Sequence, residues 1–292
     1  MLPLKVWSCV LPAMVLLISV FACDKPAKKS PAISINAAPS ASQIRLPKPF
    51  TQKQVDALLN PEGQKEYSGP TGTIFGVVRV TGDTAPEQPE VVKRLPLGKC
   101  VAAHKMYSKL FREGPGRTLA DALVAVTEYK GLVLPKESLV PMLGRDCAFD
   151  SRTYALTFGQ GLSLSSRGTE TYTPDLVGTN PGALLLAIPG GNPVNIFPPK
   201  PGYYQVVDRS HPFNGASVYV LGYPTVDVSG IDGRFEVTGV PVGRAKVSAL
   251  LPQTNTSISK EIEVIAGERT ETELVLTFDV DSWQKPKEIL AP

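Results

Sequence analysis

Alternation of apolar and polar positions dominates the last third of the chain. Val218 and Val220, Val226 and Val228, Phe235 and Val237, Ala245 to Ala249, Ile262 and Val264, and Leu274, Leu276 and Phe278 repeat at a spacing of two. That period puts every second side chain on one face, so each run predicts a strand with one buried face. Ser229-Gly230, Asp232-Gly233, Gly239, the Pro241-Val242-Gly243 run and Ala266-Gly267 break the runs where hairpins would turn. Upstream the predicted strands are shorter: 73–80, 122–129, 154–158, 161–165, 184–188 and 205–207, with 88–94 as a further extended piece. Helical spacing appears twice. Thr51 and Gln54 form a capping box before Val55, Leu58 and Leu59, which predicts a helix over 51–60 that Asn60-Pro61 stops. Residues 100–111 form the second, ended by Gly114-Pro115-Gly116. Short strands punctuated by Gly and Pro predict an all-β chain of two β-sandwich units rather than an α/β fold.

Composition narrows the chemistry. The chain has 292 residues, enough for one or two cores, and 30 Lys and Arg balance 27 Asp and Glu. No basic stripe interleaved with aromatics occurs, so no nucleic-acid partner is expected. Pro 28 and Gly 25 exceed average usage without reaching a disordered composition. Only two histidines are present, His104 and His211, which excludes a three-His zinc site within one chain. Pro189-Gly190-Gly191-Asn192 is glycine-rich but lacks the strand-to-helix setting and the lysine of a phosphate loop. No Ser/His/acid trio or paired-carboxylate motif stands out, so the chain is not expected to be an enzyme and no cofactor is expected.

The N-terminus reads as targeting. Lys5 precedes an apolar run over 10–21 that is too short for a comfortable membrane span. Val20-Phe21-Ala22-Cys23 resembles the lipobox of bacterial lipoproteins, in which the cysteine is acylated and becomes the mature N-terminus. The resemblance implies a signal peptide over 1–22 and lipidation at Cys23, with the lipid bilayer as partner and the protein held on the periplasmic or cell-surface side. Two or more acyl chains anchor stably where one does not. Asp24 bears on inner- versus outer-membrane retention, but that rule differs between bacterial groups and leaves both open. Residues 23–50, rich in Pro, Ala, Ser and Lys, are expected to be a flexible tether, and 51–68 a short helix and linker.

Two further resemblances cover most of the mature chain. The run Ser229-Gly230-Ile231-Asp232-Gly233-Arg234-Phe235, continuing to Pro241 and Gly243, is similar to the hallmark of the carboxypeptidase regulatory-like (transthyretin-like) sandwich, with Ser229-Gly230 in place of Thr-Asp. This implies such a unit over 216–279, with 280–292 a tail. Upstream, Cys100, the 122–126 strand and Cys147-Ala148-Phe149 resemble a cupredoxin-like sandwich, expected over 69–215. The stretch from Asp208 to Gly243 then joins the two sandwiches. Laid on the cupredoxin copper loop, Asp208, His211 and Asn214 fall where Cys, His and Met would stand, and Tyr172 falls at the first His position. A blue-copper site needs a thiolate and two imidazoles. The metal position is therefore expected to hold none, with Asp208, His211 and Tyr172 as the residues for any weak site.

Cys9 leaves with the signal peptide and Cys23 is committed to lipid, so Cys100 and Cys147 remain as a pair in an oxidising compartment and predict a disulfide. The competing use of Cys100 is a soft-metal site for Cu(I) with His104 and Met106. These expectations converge on a non-enzymatic, membrane-anchored binding or scaffold module of the bacterial cell envelope, holding an envelope protein or a polysaccharide. The alternative is a periplasmic copper-handling protein with an atypical site.

Overall fold

The computed structural model describes residues 50–96, 98–179 and 184–283. The signal peptide, Cys23, nearly all of the tether and the end of the tail lie outside the described residues. Among them, α1 (Gln52–Leu59), α2 (Pro89–Val92) and α3 (Val101–Tyr107) accompany fifteen strands. These are β1 (Thr71–Gly82), β2 (Leu123–Thr127), β3 (Leu139–Arg145), β4 (Ala148–Phe149), β5 (Thr153–Thr157), β6 (Gly161–Ser166), β7 (Pro174–Leu176) and β8 (Val194–Ile196). Then follow β9 (Gly202–Asp208), β10 (Gly215–Leu221), β11 (Val226–Val228), β12 (Arg234–Pro241), β13 (Gly243–Leu251), β14 (Thr256–Val264) and β15 (Arg269–Phe278). The chain is all-β, as its alternation predicts. The 88–94 piece is the short helix α2 instead of extended chain, because Pro89 takes the first helical position, where its missing N–H costs nothing. The 184–188 run joins the sheets only through an isolated bridge between Ala187 and Tyr172.

The strands make four sheets around two apolar cores. One core lies between sheet β12-β1-β15 and sheet β11-β2-β13-β14, and buries Ile74, Val78, Val124, Phe235, Val247 and Leu274. The other lies between β5-β10-β9-β7 and β4-β3-β6-β8, and buries Met142, Phe149, Leu156, Leu162, Tyr172 and Val218. The division at 215/216 drawn from the sequence does not follow this pairing. β1 is antiparallel to β12 and parallel to β15, while β2 lies between β11 and β13. The two earliest strands thus complete the sheets of the C-terminal strands, and β10, on the far side of the predicted boundary, belongs with β5 and β9. The second sandwich, 139–221, is inserted between two strands of the first.

α1 forms through its capping box, the backbone N–H of Thr51 donating to Gln54 Oε1 at 2.9 Å, and Val55 and Leu59 pack on the inserted core. A third, small cluster joins Leu95, Ala103, Met106 and Tyr107 to Cys147 around the Cys100–Cys147 disulfide. The bridge spans 47 residues, and in the chain-entropy picture a loop that long stabilises by about 4 kcal/mol at most. Cys100→Ser with Cys147→Ser should lower the unfolding free energy by roughly 2–4 kcal/mol in urea denaturation, and an unchanged midpoint would show that the bridge constrains nothing.

Candidate functional site

The residues singled out in the copper-like loop do come together. β9 ends at Asp208, a tight turn follows, and β10 restarts at Gly215, so Asp208, His211 and Asn214 face inward at one end of the inserted sandwich. Backbone bonds close the turn: His211 N donates to Asp208 O, Asn214 N to His211 O, and Asp208 N to Asn214 O. Asp208, with no exposed surface, accepts from the backbone N–H groups of Thr173 (2.8 Å) and Ser210 (3.0 Å) through Oδ1. Its Oδ2 meets His211 Nδ1 at 2.6 Å. Asn214, equally buried, accepts at Oδ1 from the Tyr107 hydroxyl (2.5 Å) and the Phe149 N–H (3.0 Å). The Tyr172 ring lies 5.4 Å from the imidazole, and Phe213 covers the other side at 6.0 Å. Gly144 makes room for that tyrosine, since a Cβ there would lie 2.5–2.7 Å from its ring carbons.

This arrangement does not fit a blue-copper centre. It offers one imidazole, no thiolate and no thioether, and the imidazole Nδ1 is already engaged by a carboxylate. The polar atoms that a metal would recruit are instead joined in a chain from α3 through Asn214 to Asp208. The Tyr172 hydroxyl is fully buried and makes no hydrogen bond of proper geometry among the described residues, although it lies near the Cys147 backbone. Burial, reinforced by the Glu170 carboxylate, pushes its pKa up. The soft-metal alternative loses its sulfur, because Cys100 is in the disulfide; His104 Nε2 lies 3.3 Å from Pro96 O, and Met106 is buried in the small cluster. Asp146 and Glu170 approach Cys147, but that sulfur is the other half of the bridge.

Sequence reasoning missed two features. Asp121, 1% exposed and at positive φ, takes a bidentate pair from Arg112 (2.7 and 2.6 Å) and further bonds from Ser151 Oγ and the Arg152 N–H. Its own carbonyl accepts from Thr153 Oγ1 at 2.8 Å. Because Asp121 precedes β2 of one core and residues 151–153 lead into β5 of the other, this carboxylate staples the two sandwiches. The second feature is a cleft of about 900 Å3 beside that staple, roofed by 133–137 and walled by β5 and β11. Asp150 and Asp227 both line it. Burial raises the Asp227 carboxyl above its ordinary range, only partly offset by N–H donors from Glu236 and Val228. Neither feature has a local sequence signal, since both arise from strands brought together over long separations.

No protein-family model and no curated protein matches this chain. Among solved structures, a reduced amicyanin mutant is similar at 15% identity, covering 28% of this chain and 81% of its own, with a TM-score of 0.25. A plastocyanin mutant of fern is similar at 12% identity over 28% of this chain and 100% of its own, with a TM-score of 0.26. A chain from a heme-copper terminal oxidase dimer is similar at 20% identity over 32% and 72%, with a TM-score of 0.25. The similarity to cupredoxins is weak, spans about 30% of the chain and concerns the fold alone.

Proposed function

We propose that this protein is a non-enzymatic, membrane-anchored binding module of the bacterial cell envelope, held to the bilayer through acylated Cys23. What supports the reading is the use to which the copper-like loop is put. Asp208 and Asn214 direct their hydrogen bonds to His211, the Tyr107 hydroxyl and the backbone, and His211, 17% exposed, has its Nδ1 committed to Asp208. A group set to bind or transform a substrate there would need free, convergent donors or acceptors. The open cleft between the cores supplies such groups. No helix among the described residues is long and apolar enough to cross a membrane.

Two measurements test it. Radiolabelled palmitate should label the expressed protein and label no Cys23→Ala variant; equal labelling would remove the anchor. Titration of the purified chain with Cu(II) should give no thiolate-to-copper absorbance, and stoichiometric copper lost in His211→Ala would replace this reading with the copper-handling one.

A further inference from the structure

We infer that the cleft between the two cores is a saccharide site, taking a polyhydroxylated glycan through hydrogen-bond acceptors presented by both walls. The inference deepens the binding-module reading and rests on it. Each wall is a sheet edge, and an open edge normally offers alternating N–H and C=O groups. Here the outward N–H groups are largely capped from within. On β5, Ser151 Oγ accepts from Thr153 N at 3.2 Å and Gln160 Oε1 from Thr157 N at 2.7 Å. On β11, Pro224 O accepts from Val226 N and Asp227 Oδ1 from Val228 N, both at 2.8 Å. An added peptide strand needs those donors, so β-augmentation is disfavoured.

What remains toward the cleft is acceptor-rich. Asp150 Oδ1 is fixed by donors from Leu143 N (2.9 Å) and the Tyr154 hydroxyl (2.6 Å), while its Oδ2 has no protein partner among the described residues. Asp227 is fixed by Val228 N and Glu236 N, and neither carboxylate has a basic partner among the described residues. Two rigid carboxylates without a counter-charge suit vicinal hydroxyls, each of which donates to a carboxylate oxygen. A point cation fits less well, because Asp150 and Asp227 do not converge with a third ligating group. Lys136 also lines the cleft, and it would repel a cation while donating to hydroxyl or ring oxygens; Arg112 lines it too, with its charge already matched by Asp121. Glu66 and Glu137 complete the charged lining, and the half-buried Tyr67 ring also borders the cleft, where it could supply the apolar contact that sugar rings use. The volume lies within the usual range for small-ligand sites, and the cleft sits at the junction of two folded units, where such sites concentrate.

The full chain, in a detergent without sugar headgroups, would be titrated calorimetrically with cello-, chito- and maltohexaose, and separately with spermidine. Saturable binding of at least one hexasaccharide is expected, weakened about tenfold or more by Asp150→Asn and by Asp227→Asn. Lys136→Ala, an exposed change that leaves both walls intact, should weaken it severalfold, and His211→Ala should leave it unchanged. Failure of all three saccharides to bind, binding indifferent to the cleft variants, or salt-sensitive binding of spermidine alone would each overturn the inference. Recovery of the saccharide cleaved would instead sink the non-enzymatic reading while leaving the site in place.

Discussion

Asp121→Ala should lower the unfolding free energy by about 3–5 kcal/mol, the usual cost of removing one partner from a buried ion pair. The substitution leaves Arg112, 19% exposed, without its carboxylate. It also takes the acceptor from Ser151 Oγ and the Arg152 N–H. Arg152, mostly buried, has a pKa lowered by desolvation, and Asp121 is its first counterweight. That guanidinium is otherwise held by carbonyls of Met106, Lys109 and Leu110 and lies over the Tyr107 ring. For a protein of this size the loss corresponds to a Tm lower by roughly 10 °C. Because Asp121 holds both cores, thermal unfolding of the variant should also separate into two transitions. A single unshifted transition would show that the apolar contact between the sandwiches suffices. The double variant with Arg112→Ala should cost less than the sum of the single variants, since the two act through one pair.

Asp208→Ala comes second, at about 3–4 kcal/mol. It leaves the buried Thr173 N–H and the part-buried Ser210 N–H without their acceptor, and an orphaned buried donor costs about 1–3 kcal/mol. His211→Ala removes one half-screened partner and leaves the backbone donors satisfied, so its cost should stay near 1 kcal/mol. Urea denaturation of both variants separates the roles. Equal losses would mean that the carboxylate matters only as the partner of the imidazole, whereas the geometry has the backbone of two loops depending on it.

The regularity of 234–278 was legible because each strand there pairs with neighbours that bury the same face. Strands β3, β4, β7 and β8 escaped notice for identifiable reasons. Pro141 and Gly144 interrupt the alternation of β3, and Pro141 is tolerated because β4 reaches only Gly144 and Arg145, leaving the proline on open edge. The others are two or three residues long, too short for a period to register. The cluster of Asp208, His211, Asn214 and Tyr172 was foreseen only through the resemblance to a cupredoxin copper loop. What the four do for one another was not, because hydrogen bonds from Tyr107 and Phe149 arrive from elements 65–107 residues away. The sandwich boundary failed for the same reason. Periodicity states that a strand has an apolar face but not which strand it meets, and β1 meets partners beyond residue 234.

That last pairing sets an order of assembly. As the exported chain is delivered N-terminus first across the membrane, β1 and β2 appear first, yet the partners of β1 lie more than 150 residues downstream. The inserted sandwich, whose strands all fall within 139–221, is complete well before them. It can therefore close while the surrounding sheets are still without edges to join, and chains tend to fold unit by unit in this way. Until β12 and β15 arrive, the apolar face of β1 is an exposed hazard, and the finished insert, with Asp121 docked against 151–153, holds the two early strands beside the place where the late ones must land.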